Sequence, residues 1–212
     1  MDLSPLAYSR VGLYGGAFDP PHTGHLALAN CAIEQLQLDR LYVLPTGQAW
    51  HKTRSLTAAH HRLAMTLQNF ESCDKVTVDD REIRREGPTY TIDTLNELKE
   101  HHSDAVFFIV IFIVMGADQA QQFQTWKHWQ QIASHATLAV AQRPSSTENP
   151  ARTDEWHNQS LIKTIRLNMP IKMVSATDIR SRIRQGALPT EDLMPAVSQY
   201  IQQHHLYLEP HD

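Results

Sequence analysis

Three features of the sequence predict an α/β fold: a doubly wound, Rossmann-like parallel sheet with helices on both faces and a helical C-terminal portion. Short β-like runs alternate with amphipathic helical stretches, the order expected of parallel strands joined by crossover helices. The run Val106 to Met115 is rich in β-branched residues with almost no polar interruption, as a central strand buried on both faces requires. The first strand ends at Gly15-Gly16, ahead of a helix, and sheets of this kind bind ligands at such strand ends. The 212 residues are expected to form one domain, residues 1–212, with its core over about 10–205. A chain of that length buries roughly 70% of its unfolded surface, so stability needs neither disulfides nor a metal.

In order, Arg10 to Tyr14 reads as the first strand. Leu26 to Leu38 then carries Leu26, Leu28, Ala29, Ala32, Ile33 and Leu36 at helical spacing. Leu41 to Leu44 is a second strand broken by Pro45, and Ala58 to Phe70 a helix carrying Leu63, Ala64 and Leu67. Val76 to Val78 is a short third strand. Thr89-Tyr90-Thr91 leads into a helix with Ile92, Leu95 and Leu98 on one face. After the long apolar strand, ended by Gly116, come a helix over Trp126 to Ala133 and a strand over Thr137 to Val140. Ser145 to Asn158 is polar and aperiodic, a surface loop. Ile171 to Val174 reads as a further strand and Thr177 to Gln185 as a helix closed by Gly186. A last helix is expected near Thr190, with Thr190-Glu191-Asp192 as its cap and acidic first turn.

Composition narrows the function classes. Lys plus Arg is 19 and Asp plus Glu 23, a net charge of −4 with histidine neutral, which argues against a nucleic-acid-binding surface. It leaves room for small anionic ligands, because a pocket can be locally positive. Two cysteines, Cys31 and Cys73, exclude a disulfide scaffold and point to a reducing cytoplasm. Met1 to Pro5 has no basic-then-apolar signal pattern. The longest apolar run, Ala105 to Met115, is 11 residues, short of the ~20 that span a membrane. The unusual number is 13 histidines.

Gly15-Gly16-Ala17-Phe18-Asp19-Pro20-Pro21-His22-Thr23-Gly24-His25 is the most informative stretch. Two glycines permit close backbone approach to a phosphate. Pro20-Pro21 delays the helix to about His22 or Thr23, since a residue before proline avoids helical geometry. The helix start then presents N–H groups with a partial charge of roughly +0.5 to an anion. His22 and His25, three apart, share one face of that turn. The stretch lacks both Gly-x-Gly-x-x-Gly spacing and the Gly-Lys-Ser/Thr ending of a P-loop, and no matched partner set makes the histidines zinc ligands. A polyphosphate cradle is expected. A second strand end entering a helix is Ser175-Ala176-Thr177-Asp178-Ile179-Arg180. There Ser175 or Thr177 can cap, and Arg180 can reach back toward an anion.

The first stretch closely resembles the Gly-Gly-x-Phe-Asp-Pro-x-His-x-Gly-His signature of the nucleotidylyltransferase superfamily. Val174 to Arg180 resembles that superfamily's second phosphate motif, Ile-Ser-x-Thr-x-Ile-Arg. Between them, His51-Lys52, Gly87-Pro88-Thr89-Tyr90-Thr91, Gly116-Ala117-Asp118, Thr125-Trp126 and Arg143-Pro144 make the chain similar to the bacterial nicotinate-nucleotide adenylyltransferases. That resemblance implies adenylyl transfer from ATP to nicotinate mononucleotide, giving deamido-NAD and pyrophosphate in NAD biosynthesis. It implies in-line attack of the acceptor phosphate on the ATP α-phosphorus, with no covalent enzyme intermediate.

The resemblance also implies roles. His22, His25 and Arg180 are the catalytic residues; Gly15, Gly16, Phe18, Ser175 and Thr177 join them in binding ATP. Lys52, Tyr90, Thr91, Asp118 and Trp126 bind the acceptor, Trp126 by stacking on the pyridine ring and Lys52 near the acceptor phosphate; the role of His51 beside it is open. Mg²⁺ arrives on the ATP phosphates, without a cage of protein side chains.

Two departures stand out. Ala49-Trp50-His51-Lys52 replaces the family's frequent Pro-Pro-His-Lys, leaving the role of Trp50 open. The strand before Gly116 reads almost as a doubled Phe-Ile-Val unit, whose extra residues lengthen the strand, form a bulge or shift its register. The alternatives are another adenylyl- or cytidylyltransferase of the superfamily and a nucleotide-binding regulator without catalysis. The other ten histidines have no motif. The pairs His60-His61, His101-His102 and His204-His205 lie on or near helix ends, where solvation is expected.

Overall fold

The computed structural model describes residues 8–47, 56–113, 123–142, 162–169 and 174–208. Its strands are β1 (Arg10–Gly16), β2 (Arg40–Pro45), β3 (Val76–Val78), β4 (Val106–Ile113), β5 (Ala136–Gln142) and β6 (Thr164–Leu167). They form a parallel sheet in the order β3-β2-β1-β4-β5-β6. The helices are α1 (Thr23–Gln35), α2 (Ala59–Phe70), α3 (Arg81–Arg84), α4 (Thr91–His101), α5 (Trp129–His135), α6 (Ala176–Arg184) and α7 (Pro195–Gln203). The strand order reverses between β1 and β4, the topological switch point where open α/β sheets place ligands.

Alternation along the strands builds the two layers. Val11 and Leu13 of β1, Phe107 of β4 and Leu138 and Val140 of β5 pack with Ile92, Leu95 and Leu98 of α4 and Ile132 of α5. Tyr14, Phe108, Ala139 and Ala141 instead join Leu28, Ala29 and Ala32 of α1 and Phe70 of α2. A third cluster unites Met65 of α2, Val174 just before α6, Ile179 and Ile183 of α6, Leu193 just before α7, Val197 and Ile201 of α7, and Tyr207. The doubly wound sheet and helical C-terminal portion are therefore as expected.

The long apolar strand resolves simply. β4 pairs with β5 at a constant offset from Phe107↔Ala136 to Ile113↔Gln142, so over these residues the extra length extends the strand without a bulge. Its pairing with β1 ends at Leu13↔Ile109, while β1 continues beside β2 to Gly16. The two central strands thus stop pairing just below the switch point.

Several expectations are corrected. The buried residues of α2 are Arg62, Met65, Thr66, Asn69 and Phe70; Leu67 is exposed, and Leu63 and Ala64 are only half-buried. Residues 190–192 form a turn, and α7 begins later, with proline in its first turn, a favoured place for a residue lacking an N–H. α5 starts at Trp129, leaving Trp126 in the preceding turn. β6 was not foreseen: only Leu167 in its four residues is buried, too short a pattern to show alternation. The expected strand at 171–174 lies outside the described residues except Val174, which is not in a strand. The loop at 145–158 lies outside them altogether.

Two of the histidine pairs are not simply solvated. His102 is buried, with Nε2 2.9 Å from the Tyr42 hydroxyl and its ring against Tyr8. His61 of α2 reaches α7, with Nδ1 3.0 Å from the Tyr200 hydroxyl and its ring beside His60 and His204. Both pKa values are lowered. Burial is the largest cause for each; neighbouring His60 and His204 add to it at His61, and His101 and Arg81 at His102. The folded state thus prefers these rings neutral, and the unfolded chain takes up protons first as pH falls. Stability should be fully present above the ordinary histidine pKa of about 6.5 and decline below it. Melting temperatures measured from pH 8 to pH ~5.5 should fall, and His61→Gln with His102→Gln should flatten that slope.

Candidate active site

The turn from β1 to α1 is built around Phe18. Its φ of 48° turns the ring inward, where it meets Tyr14, His25 and Phe70 edge-on at centroid distances of 5.4, 5.0 and 6.2 Å. At 1% exposure that ring is core, so Phe18 can offer a nucleotide only its backbone. The two glycines then serve different ends. A Cβ on Gly16 would meet the Phe18 ring at 3.0 Å, whereas one on Gly15 would meet nothing among the described residues within 4 Å. Gly16 makes room for the core, and Gly15 leaves open space at the carboxyl end of the sheet.

His22 is the N-cap residue of α1, and its ring stacks on that of His25 with centroids 3.7 Å apart. The His22 backbone N–H donates to His25 Nδ1 at 3.1 Å, which assigns the His25 ring proton to Nε2. The helix start is less open than expected. Thr23 N–H donates to the Asp192 carbonyl at 2.9 Å, and His25 N–H to the His22 carbonyl at 2.9 Å. Imidazoles, more than bare helix N–H groups, therefore define this side of the cradle.

The second phosphate-suited helix start meets the first. Arg180 of α6 is buried; its Nη1 donates to the Asp19 carbonyl at 2.6 Å and its Nη2 to the Thr177 hydroxyl at 3.1 Å. Thr177 therefore supports Arg180 instead of capping the helix. Ser175 holds the N-cap position without a side-chain capping bond, its carbonyl accepting from Ile179.

Of the residues expected to bind the acceptor, Tyr90 is the N-cap residue of α4 and Thr91 its first residue. Tyr90 and Trp126 both border the apolar cluster beneath α4 and α5, with Trp126 5.4 Å from Phe123 between ring centroids. Lys127 Nζ lies 4.0 Å from the Tyr90 ring centroid. Trp50, His51, Lys52 and Asp118 lie outside the described residues.

The sequence reading missed the groups that hold the turn from behind. Arg62, 2% exposed, donates to the carbonyls of Thr57 at 2.8 Å, Ala17 at 3.0 Å and Gly47 at 3.4 Å. A Cβ on Gly47 would overlap the Glu82 carbonyl. Buried Glu82 accepts from the Thr94 hydroxyl at 3.0 Å, and burial raises its pKa. The Asp19 carboxylate accepts from the Tyr207 hydroxyl at 2.8 Å and the Thr57 N–H at 3.3 Å. Arg62 could have been noticed only as a charge among the positions the helix period buries.

A parallel sheet whose β1–α1 turn and α6 meet through the Arg180–Asp19 contact has a candidate nucleotide site at its switch point, and the family match and relatives make the class a nucleotidyltransferase. Residues 13–182 match the family described as cytidylyltransferase-like. The chain is 47% identical, over 93% of its length and 98% of the relative's, to a protein of Albidiferax ferrireducens named "Probable nicotinate-nucleotide adenylyltransferase". A Methylibium petroleiphilum protein of the same name is 39% identical over 99% of this chain and 97% of its own. The fold matches the Plasmodium falciparum nicotinic acid mononucleotide adenylyltransferase complexed with NaAD, with TM-score 0.75 and 20% identity over 94% of this chain and 97% of that one. The chain belongs to the nicotinate-nucleotide adenylyltransferase family.

The two glycines should separate on substitution. Gly15→Ala should leave the melting temperature nearly unchanged while reducing nucleotide binding, and Gly16→Ala should lower the melting temperature. Arg62→Lys, which cannot reproduce the guanidinium fork, should cost roughly 2 kcal/mol or more in denaturant unfolding by leaving buried carbonyls unpaired.

Proposed function

We propose that this chain, folded as one domain over residues 1–212, transfers the AMP moiety of ATP to nicotinate mononucleotide, releasing pyrophosphate and deamido-NAD. The observation that carries this is the convergence of His22, His25 and Arg180 beside the β1–β4 switch point, through the Arg180–Asp19 contact. An oxygen of the acceptor's 5′-phosphate attacks the ATP α-phosphorus, and the bond from that phosphorus to the β-phosphate bridging oxygen breaks. No protein nucleophile is needed, so the chain's contribution is positioning and charge stabilisation.

His25, with its proton on Nε2, donates to an α-phosphate oxygen, and His22 supports it as a second imidazole. Arg180 and the backbone around Ser175 and Thr177 hold the β- and γ-phosphates, while Gly15 and the backbone at Gly16 and Phe18 let the chain approach the triphosphate. These donors are imidazole, guanidinium and N–H groups, which suit phosphate oxygens. These residues would face the phosphates of an ATP that carries its own Mg²⁺, which would supply further neutralisation of phosphate charge. Trp126 stacks on the pyridine ring, Tyr90 and Thr91 hydrogen-bond the nicotinate carboxylate, Asp118 bonds a ribose hydroxyl, and Lys52, with His51, faces the acceptor phosphate. No helix among the described residues is long and apolar enough to cross a membrane, and the proposed place of the reaction is the cytoplasm.

Pyrophosphate release with ATP and nicotinate mononucleotide tests the reading. Turnover should exceed that with nicotinamide mononucleotide, and none above background would leave a nucleotide-binding protein without this activity. His25→Ala should lower kcat about 10²- to 10³-fold, the usual cost of losing one donor to developing charge, with little change in acceptor affinity. Trp126→Phe should largely keep acceptor affinity and Trp126→Ala should lose it; equal affinities for both variants would make Trp126 a core residue only.

A further inference from the structure

Asp19 lies between the phosphate turn and the end of the chain, and nothing in the chemistry above uses its side chain. The residue is 2% exposed, and a carboxylate so placed is tolerated only when hydrogen-bonded. One of its donors, Tyr207, comes from 188 residues later in the chain. Tyr207 is itself 3% exposed, with a φ of 67° that turns the chain after α7 back toward the site. Burial is the largest cause raising its phenol pKa, with Asp19 next, so the hydroxyl keeps its proton and donates. The carbonyl of the same Asp19 receives Arg180 Nη1. The phosphate turn, the cation facing it and the C-terminal tail therefore meet at one residue.

We propose that Tyr207 is a positioning residue for phosphate binding: through Asp19 it sets the height of the turn and the orientation of Arg180. Tyr207 touches no substrate. Its hydroxyl holds the Asp19 carboxylate, and the peptide plane that follows Asp19 aims the guanidinium. Docking of the segment after α7 is thus part of assembling the ATP site, whereas the residues proposed for the pyridine end of the acceptor, at α4 and in the turn before α5, belong to a different packed cluster. The inference rests on the triphosphate being held at His22, His25 and Arg180.

Tyr207→Phe removes the hydroxyl and keeps the ring. In the full chain, it should lower kcat or raise the KM for ATP by about 10-fold or more, the scale expected of a misplaced catalytic group, with the KM for nicotinate mononucleotide within about twofold. Val197→Ala removes buried packing from the same cluster without touching the turn and serves as the stability control. At matched loss of melting temperature it should keep wild-type kinetics. Asp19→Asn should reproduce the Tyr207→Phe pattern. Calorimetric titration of ATP gives an independent readout: Tyr207→Phe should bind about 10-fold more weakly than wild type.

Wild-type kinetics and ATP affinity in Tyr207→Phe, or equal kinetic losses in Val197→Ala, would overturn the proposal. If the wild-type protein binds ATP but does not turn over with nicotinate mononucleotide, the functional reading fails. The ATP titration then decides the positioning role alone.

Discussion

The buried carboxylate of Asp19 is the constraint on which the site depends. A turn of small residues and prolines between a strand and a helix has no regular backbone bonding of its own, so its shape must come from elsewhere. Here each residue is held separately: the Ala17 carbonyl by Arg62, the Phe18 ring by the core, and Asp19 by Thr57, Tyr207 and Arg180. Because the charge of Asp19 is out of water, those hydrogen bonds are a condition of the fold. The sheet provides the platform and this set of contacts gives the platform a defined edge.

The electrostatics follow from the same contacts. The chain carries a net charge of −4, yet its family handles highly anionic metabolites. Local geometry decides this. Arg180 reaches the turn that carries the stacked imidazoles of His22 and His25 through the Asp19 carbonyl, while N–H groups of the helix start are engaged within the protein by Asp192 and His22. The dipole of α1 still gives its N-terminus a partial positive charge.

Much of the architecture was legible along the chain. α4 showed its buried face directly, since Ile92, Leu95 and Leu98 are all core, and β3 spans the expected residues. The face of α2 was misjudged because a buried arginine and asparagine, Arg62 and Asn69, occupy positions that hydropathy assigns to solvent. The turn at Thr190 carries the residues of a helix cap but delivers the Asp192 carbonyl to α1 instead. Histidines 61 and 102 look solvated in sequence and find tyrosine hydroxyls in the fold.

The sequence by itself determined the fold class, the place of the glycine- and proline-rich turn at a strand end and the two helix starts near Thr23 and Ala176. These are local properties, written in period, glycine and proline within a few residues of one another. Only the tertiary structure decided which groups hold that turn, that Phe18 and Gly16 serve the core, and that the C-terminal tail reaches the site. Those contacts join residues 45, 161 and 188 positions apart. A hydrogen bond across such distances leaves no periodic trace, because its partners are chosen by packing and by the cost of leaving a buried polar group unpaired.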